Sequence, residues 1–191
     1  MKNICIFLFD GYSDWEIAYL TPEIAKNNEF FIKTFSIDGK PVRSAGNLQV
    51  VPDCSLNDIE AEEISILILP GGFTWDGGKL DYILPLVKRT NDRQITIAAI
   101  CGATIFLARN RLLDNVKHTS NDLGFLKMVA PNYKGEHLYQ HEKAYSDKCF
   151  ITANGTAPIE FSKAIFESIS LYDSEGIEKW YQLFKNGIWS E

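Results

Sequence analysis

Apolar positions in this chain occur in two alternating kinds of run. Ile4–Phe9, Phe30–Ile37, Ile64–Leu69 and 95–100 are short, nearly unbroken apolar stretches, the pattern of strands buried on both faces. Between them the apolar residues recur at helical spacing. That spacing predicts helices from Ser13 to about Asn27, around Leu80, Ile83, Leu84 and Val87 with Pro85 starting or kinking the turn, and from the end of strand 95–100 to about Asn110. Further helices are expected over Asp122–Val129, from Pro158 to about Leu171, and from Ser174 to Lys185, the last burying Trp180, Leu183 and Phe184. Val42–Val51 reads as a hairpin or a short excursion, Val116–His118 as a short strand, and Tyr133–Ile151 as two or three short strands.

Strands separated by helices imply an α/β fold with a mostly parallel central sheet covered on both faces, and the length suits a single domain over 1–191. Ligands on such sheets sit beyond the carboxyl ends of the strands. Four segments follow strands and can converge there: Asp10–Glu16, Gly71–Phe73, Cys101–Gly102 and His118–Asn121.

Charge narrows the partners. Lys and Arg number 19 against 25 Asp and Glu, a formal net charge of −6, and no basic run offers a nucleic acid or anionic membrane a surface. The N-terminal apolar run is too short for a secretory signal, and no stretch approaches the ~18 residues of a membrane span. A cytoplasmic chain with free thiols is expected, because Cys5, Cys54, Cys101 and Cys149 lie far apart. No metal site is expected. His137 and His141 have ligand spacing only on a helix, which their segment does not favour.

The sharpest chemical feature is Ile100-Cys101-Gly102-Ala103. A thiol at a strand-to-helix corner forms a nucleophile elbow, where unpaired helix N–H groups and the helix dipole favour the thiolate. Gly71-Gly72 ends the strand Ile64–Leu69, and the bare amides of Gly72 and Gly102 can polarise a carbonyl over that sulfur. Ser13-Asp14-Trp15-Glu16 has capping-box spacing, so Glu16 either caps a helix or, if buried and protonated, donates a hydrogen bond to the thiol. His118 is either the base that draws the thiol proton or a strand-end residue. Asp10-Gly11-Tyr12-Ser13 lacks the amide run of a phosphate cradle, which weighs against a flavin or nucleotide carrier, and no cofactor is expected.

Together these residues resemble the DJ-one/PfpI superfamily, relatives of class I glutamine amidotransferases and of intracellular-protease-like proteins. The matching segments are Phe9-Asp10-Gly11 through Glu16, Leu69–Gly72, Ala99–Ala103, Leu112–Asp114 and Thr152–Thr156. The resemblance implies a flavodoxin-like three-layer sandwich, a homodimer, Cys101 as nucleophile, Glu16 as its protonated donor, and Gly72 with Gly102 at the oxyanion, beside Gly71. The chain departs from that pattern where members carry a histidine. Gly102 follows the cysteine, and Asn121 stands in the loop that holds the histidine of other members. Asn121 can orient substrate or water but is no base at neutral pH. The leading expectation is therefore a cysteine-dependent enzyme acting on an aldehyde such as methylglyoxal, an amide or a short peptide. The alternative is a redox sensor or partner-binding protein that uses oxidation of Cys101.

Overall fold

A computed structural model describes residues 2–189. The chain runs β1 (Lys2–Phe7), α1 (Thr21–Ala25), β2 (Phe30–Ser36), β3 (Val42–Arg43), β4 (Gln49–Val50), β5 (Cys54–Ser55), β6 (Ile64–Leu69), α2 (Leu84–Asp92) and β7 (Thr96–Ile100). It continues through α3 (Gly102–Arg109), α4 (Leu123–Val129), β8 (Ala144–Asp147), β9 (Phe150–Ala153), α5 (Pro158–Ile169) and α6 (Ser174–Asn186). Seven strands form one sheet in the order β5-β2-β1-β6-β7-β9-β8, and only β8 is antiparallel to its neighbour. β3 and β4 pair as the separate hairpin. This is the mostly parallel α/β sheet that the alternating runs predict, in the flavodoxin-like form that the resemblance implies.

The central strands explain themselves. Ile66 to Leu69 of β6 and Ile97 to Ile100 of β7 are wholly inaccessible, so both faces of the sheet are covered there. Full burial of each aliphatic side chain contributes roughly 1.5–3 kcal/mol. β1, β6, β7 and β9 run parallel, so the loops after them open at one end of the sheet.

Several elements depart from expectation. The helix over Ser13–Asn27 is instead a 3-10 turn at Asp14–Glu16 followed by the short α1. Pro22, in the first turn of α1, has no N–H to continue a helix from the preceding turn. Val116–His118 forms no strand, only an isolated bridge from His118 to Tyr139. The segment before β8 contributes a 3-10 turn at Glu136–Leu138, leaving β8 and β9 as the strands of that region. Trp180 is buried as expected, but Leu183 is half-buried and Phe184 is 42% exposed, since α6 lies outside α5 and covers it with one narrow stripe.

Candidate active site

Cys101 closes β7 and caps α3 with φ 57° and ψ −124°. That left-handed backbone costs a non-glycine residue about 1–3 kcal/mol and needs bonds on both sides to hold it. Its N–H donates to Ala153 O at 2.9 Å, and its carbonyl accepts from Thr104 N at 3.1 Å and Thr104 Oγ1 at 2.6 Å. The side chain remains partly covered.

Glycines make room around it. A Cβ on Gly71 would sit 2.5 Å from Cys101 Cβ and 2.7 Å from Glu16 Oε2. One on Gly155 would sit 2.7 Å from Cys101 Sγ and 3.3 Å from Glu16 Oε1. Gly102 faces the Gly72 carbonyl at 2.5 Å from where its own Cβ would lie. Gly72, at φ 144°, has a backbone that only glycine adopts readily. Gly71 and Gly155 therefore leave Cys101 and Glu16 one small shared space, while Gly102 packs on the Gly72 carbonyl.

Glu16 is wholly inaccessible. It makes no capping box, because Ser13 N–H is taken by Gly71 O at 3.0 Å and Gly71 N–H donates to Glu16 Oε2 at 2.5 Å. This reciprocal pair turns the carboxyl inward. Burial raises its pKa from 4.5 to about 7, against the Gly71 amide, which lowers it. Oε1 is buried without a hydrogen-bond partner among the described residues.

Asn121 reaches the sulfur. Its Nδ2 donates to Cys101 Sγ at 3.3 Å and its Oδ1 accepts from Gly155 N–H at 2.8 Å. Asn154 ties down the loop behind it, donating to Asn121 O at 3.0 Å and to Ser120 O at 3.4 Å. Thr104, already spending its proton on Cys101 O, receives one from Ser120 Oγ at 2.7 Å. Gly155 and Asn154 are site residues that the strand-end argument passes over. Their signals were the turn Asn154-Gly155-Thr156 and its place in the Thr152–Thr156 segment of the resemblance.

His118 is not part of this cluster. Its ring is wholly buried, with Nδ1 2.8 Å from Val116 O and Nε2 2.6 Å from Tyr133 Oη. Both nitrogens are occupied away from the sulfur, and burial lowers its pKa. The expectation of a base at His118 is corrected by that geometry. Nor is the thiol favoured as the thiolate that its place at the helix N-terminus predicts. Burial first, then the Glu16 charge, raise the Cys101 pKa, and the Asn121 and Gly102 amides only partly offset them. Cys5 lies in the core, where burial carries its pKa to about 11. Cys149 is buried against Asn91, and Cys54 lies at the β5 edge. Among the described residues, no three His, Cys, Asp or Glu side chains group as metal ligands, and no helix is long and apolar enough to cross a membrane.

Known proteins resemble this chain along most of its length. The family model described as DJ-1/PfpI family matches residues 2–168. The chain belongs to the DJ-1/PfpI family. Among DJ-1/PfpI relatives, the "Uncharacterized protease YoaZ" of Bacillus subtilis is 36% identical over 194 residues, covering 96% of this chain and 91% of the relative. The "Uncharacterized protease YdeA" of the same organism is 36% identical over 99% of this chain and 94% of its own length. The crystal structure of a thiJ/pfpI family protein from Bacillus anthracis superposes with a TM-score of 0.93 at 36% identity, over 98% of this chain and 92% of that one.

Proposed function

We propose that this chain is a cysteine-dependent enzyme acting on reactive carbonyl compounds, with small aldehydes as the best-supported substrates. The observation carrying this reading is the pairing of Cys101 with a buried carboxyl whose pKa is about 7, in a space lined by glycine backbone. Such an acid is both donor and acceptor at neutral pH. Glu16 takes up the thiol proton as Cys101 sulfur bonds to the aldehyde carbon. The carbonyl π pair moves to oxygen, a charge this reading assigns to the Gly72 and Gly102 amides, and Glu16 returns the proton there. Addition to an aldehyde expels no leaving group. Amide hydrolysis does, and the imidazole that would protonate an amine is held elsewhere, on Val116 and Tyr133. For that reason aldehydes rank above peptides, although two relatives carry the name protease.

A second reading, reversible oxidation of Cys101, draws on Glu16 Oε1, a buried oxygen without a partner beside the sulfur. A protonated carboxyl there would donate to an oxygen added to sulfur by peroxide.

The deciding experiment is turnover of methylglyoxal followed by loss of its dicarbonyl. Cys101→Ser should abolish it, and Glu16→Gln should slow it at least ~100-fold. Unaltered turnover by Cys101→Ser would end the enzymatic reading. Failure of every carbonyl tested, with selective peroxide oxidation of Cys101 over Cys54, would establish the second reading in its place.

A further inference from the structure

Beside the cysteine site lies a groove of about 1000 Å³ that the chemistry above does not use. Asn121, Asn154 and Thr156 form the end nearest Cys101. From there it runs along β8, with Ala144 and Ser146 on one side and Glu160, Lys163 and Ala164 of α5 on the other. We propose that this groove binds an extended peptide segment, which pairs with β8 as an additional strand of the sheet.

The backbone carries the inference. β8 is the terminal strand, and it pairs only with β9. Asn154 N–H donates to Lys143 O at 2.9 Å, and Ala144 lies opposite Ala153. Lys143 and Asn154 are therefore a hydrogen-bonded pair, and alternation makes Tyr145 and Thr152 the next one. Ala144 and Ser146 belong to the intervening pairs, so their N–H and C=O groups point off the sheet. Ala153 agrees, because its carbonyl turns the other way, to Cys101 N–H at 2.9 Å. No loop or side chain among the described residues takes the outward groups of Ala144 and Ser146. Exposed strand edges of this kind are blunted or used. Here the edge is neither covered nor protected by proline.

Charge selects the occupant. Lys143 and Lys185 share Glu160 at 3.4 and 2.7 Å, and Lys163 holds Glu178 at 2.9 Å. With its cations already paired, the groove offers an anionic polymer little attraction. What remains unmet is a row of alternating amide donors and acceptors, which an extended backbone matches. Ala144 and Ala164 leave room for its side chains. The added strand would lie three strand spacings, ~14 Å, from β7, so about four further residues of extended chain reach the sulfur.

The test uses Cys101→Ser protein, so that binding is read without turnover and stands or falls apart from the carbonyl chemistry. The probe is an acetylated octapeptide of alternating valine and threonine with lysine and glutamate at its ends. Saturating peptide should slow amide exchange at Ala144 and Ser146 at least tenfold. The same peptide N-methylated at its four central residues should give no protection. Adding Ser146→Pro, which removes an outward N–H that edge strands can spare, should weaken binding at least tenfold, while Ser146→Ala leaves it unchanged. Equal binding of the methylated peptide overturns the proposal, as does the absence of protection at both amides. A dimer dispersed by Ser146→Pro would also overturn it, by making a second copy the occupant. If Ser146→Pro does not fold, the comparison of the two peptides decides alone.

Discussion

Asn121 donates to Cys101 Sγ while its own carbonyl is held by Gly155 N–H. A backbone N–H can only donate, so Oδ1 must face Gly155 and Nδ2 must face the sulfur. The amide thus cannot flip without losing both contacts. It is a fixed donor to the sulfur.

The first prediction concerns the thiol's titration. Burial and the Glu16 carboxylate raise it, and Asn121 lowers it. Alkylation of Cys101 by iodoacetamide across pH should therefore report a pKa above that of an ordinary thiol. Asn121→Ala should move it higher and Glu16→Gln lower. A thiolate already formed at neutral pH in the unaltered protein would contradict this balance and restore the helix dipole as the dominant influence.

Gly155 gives a steric prediction. A methyl at this position would lie 2.7 Å from Cys101 Sγ, well inside van der Waals contact. Because Gly155 N–H also orients Asn121, the turn cannot retreat without releasing that amide. Gly155→Ala should lower the alkylation rate of Cys101 at least tenfold with the fold retained. Gly135→Ala is a control of similar crowding away from the sulfur, since its methyl would meet Leu113 O at 2.3 Å. That change should cost stability and spare the reactivity of the folded fraction.

His118 should prove structural. Its ring joins Val116 O to Tyr133 Oη inside the protein. His118→Ala leaves both partners buried and unsatisfied, at a cost of about 2–4 kcal/mol. Denaturant unfolding should register that loss, while turnover per folded molecule stays within about threefold. A hundredfold fall in turnover without loss of stability would return the ring to the chemistry.

These outcomes mark where pattern reading succeeds. Ile97 to Ile100 are buried on both faces and Cys101 breaks the run, so the strand-to-helix corner was legible from the change of character alone. Glu16 was ambiguous because Ser13 and Glu16 have capping-box spacing. The choice was made by Gly71, 55 residues away, whose N–H and O take up the groups that a cap would use. Gly155 was hidden for a related reason. A close approach between β9's loop and the β7 elbow exists only after the strands are laid side by side. His118 misled because a strand-end position says nothing of which way a ring turns, and Tyr133 lies in a segment without clear periodicity. Length along the chain misleads again at α1, where Pro22 divides a stretch whose apolar spacing alone reads as one helix.

Glu16 also makes stability depend on pH. Its pKa is 4.5 ordinarily and about 7 in the fold, so between those values the folded chain holds a proton that the unfolded chain releases. The contribution is therefore fully present below pH 4.5 and is lost as pH rises through about 7. The gap corresponds to about 3 kcal/mol as an upper bound, since Cys101 shares the proton. Glu16→Gln keeps a neutral side chain of the same shape and has nothing to ionise. Denaturation midpoints measured from pH 5 to pH 9 should fall less steeply for Glu16→Gln than for the unaltered protein, and the two curves should separate most above pH 7. Parallel curves across that window would mean that the carboxyl is already ionised in the folded state. In that case Glu16 could still take the thiol proton as a base, but it could not serve as the protonated donor that the oxidation reading needs.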